Sequence, residues 1–295
     1  MFNRKRLALS LETDEIRIVV YQREEVLRWD KTPLPEGTVD RGQLIRSEVF
    51  GEIARDLLKE HKAPRRKARI ALNGQRAILR TLMIPPVPDR MMEETVQREA
   101  RRELPLPLED LYLSWQRIET KESDQTSIFV VALPKETVDS HMHGIQTAGV
   151  RPGLLDIKPL ALVRTVNQPD VIVASLERDT ASVVLVRGFL PIITRSINLT
   201  PQRGPQALDE HIDQVVAEIQ RTLDFYNSTI SASHPAWNPV VCLTGKFGGR
   251  PEARAIVEDR WPLLEADPPI DLPDDLPLAT YMTNIGLILN TAEQG

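Results

Sequence analysis

A short segment occurs twice in this 295-residue sequence, and the two copies lie about half a chain apart. Residues 9–14 read LSLETD and residues 174–179 read ASLERD, so both contain Ser-Leu-Glu and both continue into an apolar run, at 16–20 and 183–186. An offset of one domain length indicates a duplicated lobe rather than a solenoid repeat. General hairpin chemistry is an alternative explanation for so short a match. The sequence predicts two lobes that each begin with the same β-hairpin.

The first copy shows the hairpin pattern directly. Apolar residues alternate with polar ones over residues 7–11 and again over 16–20, with the polar turn Thr13-Asp14-Glu15 between them. Period-two alternation on both sides of a turn predicts two antiparallel strands. Further strands are predicted at 26–29, 68–72, 77–84, 111–118, 127–133 and 240–243, and a second hairpin from 171. Helices are predicted at 48–61, 89–103 with Asp89 as N-cap, 135–148 closed by Gly149, 207–226 and 278–289.

Charge and cysteine content exclude several classes of function. The net charge of −5 offers no general positive field for nucleic acid. Cys242 is the single cysteine, so neither an internal disulfide nor a thiolate zinc site is predicted. No run approaches the roughly 18 apolar residues of a membrane span. These features fit a reducing compartment and predict no membrane insertion by the chain itself; if the protein works at a membrane, something else must hold it there.

Catalytic and metal-binding patterns are also lacking in the sequence. No Walker motif, dinucleotide fingerprint or nucleophile elbow is present. His141 and His143 are two positions apart on a predicted helix, so they point to different faces and are interpreted as surface residues. No catalytic residue and no metal ligand is predicted.

Two long stretches within residues 84–166 read IPPVPDRMMEETVQREARRELPLPLEDLYLSWQ and IFVVALPKETVDSHMHGIQTAGVRPGLLDIKPLALVRTV. Both resemble segments of the PilM family of type IV pilus assembly proteins. Weaker similarity extends to TPLPEGTVDRGQL and EIQRTLDFYNST, so nearly the whole chain is covered.

The resemblance implies a two-lobed α/β fold of the actin-like type, a duplicated ribonuclease H-like fold with a small α+β subdomain inserted in the first lobe. The expected division is residues 1–84 and 150–168 for the core of the first lobe, 85–149 for the insertion and 169–295 for the second lobe. Only Thr200 to Gln206 occupies the interval where the family carries an extra helical segment over the nucleotide. A reduced second-lobe cap is therefore expected.

The phosphate-binding turns of this fold usually read Asp-Ile-Gly, whereas both copies here read Ser-Leu-Glu. Serine replaces the carboxylate that holds hydrated magnesium, and glutamate brings a Cβ and a negative charge to the glycine position. One interpretation makes Glu12 or Glu177 a metal ligand. The preferred interpretation is that both turns are ordinary hairpin tips released from phosphate binding, because both features are missing from both lobes.

A glycine-rich turn, Thr244-Gly245-Lys246-Phe247-Gly248-Gly249, follows the predicted strand 240–243. It resembles the turn that contacts adenosine in actin-like proteins. A tight strand-to-helix connection explains the glycines equally well.

The resemblance implies a non-catalytic scaffold of a type IV pilus assembly or related secretion complex, a pseudo-ATPase with lost or weak nucleotide binding. Its expected partners are the cytoplasmic tail of a PilN-like inner-membrane protein and other pilus assembly proteins, with the tail in a groove between the first-lobe core and the insertion. The alternative is a Mg-ATP-binding switch or ATPase that holds its nucleotide with Glu12, Thr13, Arg17, Gly245, Gly248 and Gly249. A third hypothesis, a secretion protein resembling GspL, would require a transmembrane helix after the actin-like region, and none is expected before Gly295.

Overall fold

A computed structural model describes residues 4–118, 126–199, 207–230 and 237–291. The strands are β1 (Arg6–Leu11), β2 (Glu15–Gln22), β3 (Glu25–Pro33), β4 (Val39–Asp40), β5 (Gln43–Leu44), β6 (Arg66–Leu72), β7 (Ile78–Ile84), β8 (Leu111–Ile118), β9 (Thr126–Pro134), β10 (Arg151–Ile157), β11 (Val171–Leu176), β12 (Thr180–Arg187), β13 (Leu190–Asn198) and β14 (Val241–Thr244). The helices are α1 (Ser47–Glu60), α2 (Asp89–Glu103), α3 (Lys135–Thr147), α4 (Lys158–Val166), α5 (Ala207–Phe225), α6 (Pro251–Glu258) and α7 (Leu278–Ile288). Both predicted hairpins and all five predicted helices are present, within a few residues of their expected bounds.

The sheet of the first lobe has the strand order β10-β6-β1-β2-β3. The hairpin β1–β2 and its neighbour β3 are antiparallel, whereas β6 and β10 run parallel to β1. The alternating apolar residues of β1 and β2 point into a core closed by α1 and α3. This arrangement leaves the β1–β2 turn at one end of the sheet.

The second-lobe sheet has four strands in the order β13-β12-β11-β14, which repeats the part β3-β2-β1-β6 of the first-lobe sheet. Ser10 pairs with Arg17 in the first hairpin, and Ser175 pairs with Ser182 in the second, with the same register. The two turns also close alike, because the amide N–H of Glu12 bonds Glu15 and that of Glu177 bonds Thr180, both at 3.0 Å. The sequence repeat is therefore a structural repeat.

A third sheet, β7-β9-β8, carries α2 on one face. Strand β7, which precedes residue 85, belongs to this sheet. Helix α3, which follows β9, packs against α1 of the first lobe. The division at residues 85 and 149 stays a prediction; a boundary set by this sheet alone would run from β7 to β9.

Helices α4 and α7 lie between the two large sheets. Helix α7 packs on the first-lobe sheet although it follows the second lobe in sequence, and α4 packs on the second-lobe sheet. Where they cross, a Cβ on Gly286 would lie 1.9 Å from the carbonyl oxygen of Ala161. Glycine is required there because any side chain would force the two helices apart.

Two local predictions are wrong. Asp89 is the first residue of α2 rather than its N-cap, which is Pro88, so its carboxylate lies in the first turn, where the helix dipole favours negative charge. His141 is not a surface residue: it is 1% exposed, and its Nδ1 lies 2.6 Å from the carbonyl oxygen of Thr137. The face of α3 that carries His141 is covered by the first lobe, which its own sequence does not reveal. The prediction about Thr200 to Gln206 lies outside the described residues.

Candidate functional site

The β1–β2 and β11–β12 turns meet between the lobes, and a lysine joins them. Nζ of Lys158, the first residue of α4, donates to Glu12 at 2.7 Å and to Glu177 at 2.8 Å. All three side chains are almost completely buried. Beside them, the hydroxyl groups of Thr13 and Thr180 lie 3.4 Å apart. The two turns are therefore tied to each other through protein groups.

Arg17, on β2, provides a second cationic link between the lobes. Its guanidinium donates to both oxygens of Glu177, at 2.5 and 3.2 Å, and to Glu15 at 2.7 Å. A further bond of 2.9 Å reaches the carbonyl oxygen of Thr280 in α7. Arg17 is 1% exposed, and its planar fork suits the two oxygens of one carboxylate.

Lys246, in the glycine-rich turn after β14, closes the outer side of the cluster. Its Nζ lies 2.8 Å from Asp14 and 3.1 Å from Glu15, and its backbone N–H donates to Glu177 at 3.1 Å. We call the seven residues Glu12, Asp14, Glu15, Arg17, Lys158, Glu177 and Lys246 the interlobe ion cluster.

Burial and ion pairing act in opposite directions within this cluster. Burial raises the pKa of Glu12, by more than Lys158 lowers it. Burial acts on Glu177 in the same sense, but Arg17 and Lys158 outweigh it and hold the pKa of Glu177 well below its usual range. No hydrogen-bond donor of the described chain reaches Oε1 of Glu12, whose closest cation there is Arg17 at 3.6 Å. Glu177 is thus the more strongly stabilised anion, and Glu12 takes up a proton first.

The predicted site residues are only partly brought together. Glu12 and Arg17 share the cluster, and Gly245 packs against it: a Cβ there would lie 2.8 Å from Oε1 of Glu177 and 2.6 Å from the carbonyl oxygen of Leu176. Gly245 also has a φ of +90°, which favours glycine. Gly248 folds back on Thr244 within its own turn, and Gly249 faces Ala279 of α7.

The space that remains between the two turns is small. The cavity lined by Glu12, Thr13, Lys158 and Glu177 has a volume of about 20 Å³. One water molecule needs roughly that much, whereas ligand pockets measure about 300–1,000 Å³. No cluster of metal-binding side chains is found within the described ranges.

The two glutamates are not ordinary hairpin tips, whereas the release of their turns from phosphate binding stays a prediction. Glu12 and Glu177 are each 2% exposed and paired with cations, because Lys158 and Arg17 supply the positive charge that sequence reasoning did not place near them. Lys158 was missed, although a single lysine within the apolar run LLDIKPLALV is a signal for a buried partner. Asn284 was also missed: it is buried in α7 and accepts a bond from Ser10 at 3.1 Å.

A second concave surface lies between the third sheet and α4. We call it the groove; β8 and β9 form one wall, α4 forms the other, and the β12–β13 turn closes one end, around a volume of about 470 Å³. Its apolar lining includes Phe129, Val131, Leu160, Phe189 and Leu190. Because β8 is the edge strand of its sheet, one side of that strand is free of sheet partners among the described strands. An apolar cleft beside an edge strand can receive an extended peptide.

The duplicated hairpin lobes, with two helices between them and a small sheet beside the first lobe, define a protein of the actin-like fold. The particular family follows from sequence: the family model described as type IV pilus assembly protein PilM matches residues 10–187, and the chain belongs to that family.

Solved structures agree with this fold. PilM in a PilM-PilN type IV pilus biogenesis complex is 21% identical with a TM-score of 0.76, and the match covers 97% of this chain and 98% of that one. The cytoplasmic domain of EpsL, an inner-membrane component of the type II secretion system of Vibrio cholerae, is 13% identical with a TM-score of 0.55, over 98% and 96% of the two chains. The ethanolamine utilization protein EutJ from Carboxydothermus hydrogenoformans is 12% identical with a TM-score of 0.54, over 98% and 90%. At these identities the likeness concerns the fold.

Proposed function

We propose that this chain is a scaffold of a type IV pilus assembly or related secretion complex, and that it binds the cytoplasmic tail of a PilN-like inner-membrane protein. Membership of the PilM family carries the proposal, and one structurally similar protein, PilM, was solved in a complex with PilN. In the described part of the chain no helix is long and apolar enough to cross a bilayer. The partner therefore supplies the attachment to the inner membrane, and the chain acts from the cytoplasm.

The groove is the proposed site of the partner's tail. Its aromatic and aliphatic lining fits alternate apolar side chains of an extended peptide, and the free edge of β8 offers main-chain hydrogen bonds. One wall belongs to the expected insertion and the other, α4, to the expected first-lobe segment 150–168. The family resemblance predicts partner binding between these same two parts of the chain.

We further propose that the scaffold works without a nucleotide and without catalysis. Support comes from the interlobe ion cluster, because Glu12 and Glu177 place carboxylates where phosphates would have to lie. The alternative, a Mg-ATP switch, would need the paired side chains of Glu12 and Arg17 to separate and the cavity of about 20 Å³ to open.

Calorimetry with a synthetic peptide tests partner binding. The probe copies the cytoplasmic tail of the PilN-like protein encoded beside this chain, and wild-type protein should bind it measurably. Ser114→Arg places a long side chain in the groove at an exposed position of β8 and should weaken binding at least tenfold. Met91→Ser, at an exposed site on α2 across the same sheet, is the matched control and should bind like wild type. Equal affinity of all three proteins for the peptide would refute the groove as its binding site. No binding to the wild type would refute the PilN-like tail as a partner.

A thermal melt with millimolar Mg-ATP tests the nucleotide proposal. A ligand that binds only the folded state increases the free energy of unfolding, by about 2.7 kcal/mol at a hundredfold excess over Kd. Tm rises as a result. We expect no shift. An increase of several degrees would establish the alternative function.

A further inference from the structure

The interlobe ion cluster connects four separate parts of the chain: the β1–β2 hairpin, α4, the β11–β12 turn and the glycine-rich turn after β14. Glu177 on the second lobe bonds Arg17 on the first, and Lys246 on the second lobe bonds Asp14 and Glu15 on the first. Lys158 joins one glutamate from each lobe. If the two hairpin turns moved apart, the contacts of Arg17 and Lys246 across the cleft would be broken, and Lys158 could keep only one of its two glutamates.

The cluster is stable only when it is complete, because its buried charges balance one another. It contains four carboxylates and three cations, and Lys31 approaches Glu15 from the surface at 3.7 Å. The inner members are nearly inaccessible to water, so an ion that loses its partner cannot be solvated in place. Separation of the lobes is one way to bring water to an unpaired charge.

Helix α4 belongs both to this cluster and to the groove. Lys158 is its first residue, and Leu160, Val163 and Arg164 on the same nine-residue helix line the groove. Arg164 fixes the helix further: it bonds Asp156 on β10, and its Nε donates to the carbonyl oxygen of Gly286 on α7 at 2.9 Å. A displacement of Lys158 therefore displaces one wall of the groove.

We propose that the interlobe ion cluster takes the place of a bridging ligand: it holds the two lobes in one fixed arrangement, and α4 makes the shape of the groove depend on that arrangement. The second part rests on the proposed function, because it concerns the site of the partner's tail. The first part does not, since it concerns the lobes alone. Partner binding and lobe closure would thus stabilise each other, as two sites coupled through one element must.

The test for the lobes measures a distance between them in the full-length chain. Spin labels are attached at Asp56→Cys on α1 and Asp213→Cys on α5, both exposed, while Cys242 is 1% exposed and stays unlabelled. The labelled protein with its ion cluster unchanged should give one narrow distribution of the distance between the two spin labels. Lys158→Met should broaden it and lengthen its mean, and Lys158→Arg should restore it.

Two further variants keep the test decisive if Lys158→Met does not fold. Lys246→Met removes two contacts across the cleft from a side chain that is 28% exposed, and it should broaden the distribution to a smaller extent. Arg254→Met removes the pair with Glu265 inside the second lobe and should leave the distribution unchanged. Narrow, unshifted distances in the Lys158 and Lys246 variants would overturn the proposal.

The same variants then test the link to the groove, with the synthetic tail peptide as the probe. Lys158→Met should bind it at least tenfold more weakly, and the bound peptide should narrow the distance distribution again. Wider distances with wild-type affinity would overturn the dependence of the groove on the lobes. If the wild type does not bind the peptide, the proposed function fails, whereas the distance measurement still decides whether the cluster holds the lobes.

Discussion

Glu12 and Glu177 occupy corresponding positions in two repeated turns, and both accept a hydrogen bond from the same ammonium group, that of Lys158. In an actin-like protein that binds nucleotide, the two turns are linked through an anionic ligand held by backbone N–H groups and a cation. Here the turns supply the anions and the chain supplies the cations. The two turns are therefore linked by side chains of the protein itself.

Removal of the Glu177 charge should destabilise the protein more than removal of the Glu12 charge. Glu177→Gln leaves Arg17 and Lys158 with one fewer carboxylate in a buried site, and breaking such a pair costs about 3–5 kcal/mol. Glu12→Gln removes a group whose burial already favours its neutral form, so we expect a loss on the order of 1 kcal/mol. Urea unfolding at pH 7 measures both.

The control is Arg254→Met, which removes the exposed pair with Glu265 and should change the free energy of unfolding by less than about 1 kcal/mol. A reversed order, with Glu12→Gln the more damaging, would contradict the assignment of Glu177 as the stabilised anion.

The two variants should also differ in how their effect depends on pH. The depressed pKa of Glu177 gives stability that is complete above the unfolded value, about 4.3, and is lost as pH falls toward the folded value. The deficit of Glu177→Gln should therefore shrink below about pH 4.3. The raised pKa of Glu12 works in the other direction: wild type gains stability as pH falls through the folded value, because the native state takes up the proton. The deficit of Glu12→Gln should therefore grow as pH falls from neutral toward the unfolded value of about 4.3.

Urea unfolding of the three proteins between pH 3.5 and 7.5 gives these two differences. If the free energy of unfolding of both variants ran parallel to that of the wild type across this pH range, neither carboxyl would have a shifted pKa.

The local part of this structure could be predicted from sequence. Period-two alternation is enough to locate β1 and β2, and the echo of residues 9–14 at 174–179 is enough to predict a repeated hairpin. The shared register of Ser10 and Ser175 confirms that prediction. These features depend on neighbours in the chain, which a sequence displays directly.

The partners of the buried charges could not be predicted. Arg17 and Glu177 are 160 residues apart, and Lys158 lies 146 residues from Glu12. Nothing in residues 9–14 indicates which distant cation will face Glu12. A turn without glycine therefore predicts release from phosphate binding and gives no sign of a buried ion pair. The prediction that His141 lies at the surface was wrong for the same reason, since the first-lobe core that covers it comes from elsewhere in the chain.

The crossing of α4 and α7 should not tolerate a methyl group at Gly286. Alanine favours a helix by about 1 kcal/mol over glycine, but the added Cβ would lie 1.9 Å from the carbonyl oxygen of Ala161. Overpacking of this kind costs about 1–3 kcal/mol, so we expect Gly286→Ala to be destabilised overall. Thermal unfolding measures it.

Gly249→Ala is the matched control, because its Cβ would meet Ala279 at 3.5 Å, an ordinary contact. It should change stability by less than about 0.5 kcal/mol. A Gly286→Ala protein as stable as wild type would mean that the two helices can separate at low cost.

The single thiol should report opening of the second lobe. Cys242 lies on β14 and is 1% exposed; burial, with a smaller effect from Glu265, raises its pKa to about 12. Since the thiolate is the reactive form, native protein at pH 8.5 should react with a disulfide reagent roughly a thousandfold more slowly than a free cysteine, whose pKa is near 8.5. Unfolding in urea should restore the ordinary rate. Exposed Met91→Cys in a Cys242→Ala background gives the rate of an accessible thiol on the same protein. A native Cys242 that reacts as fast as that thiol would mean that β14 opens readily, and the second-lobe sheet would then be too mobile to hold Glu177 in a fixed ion pair.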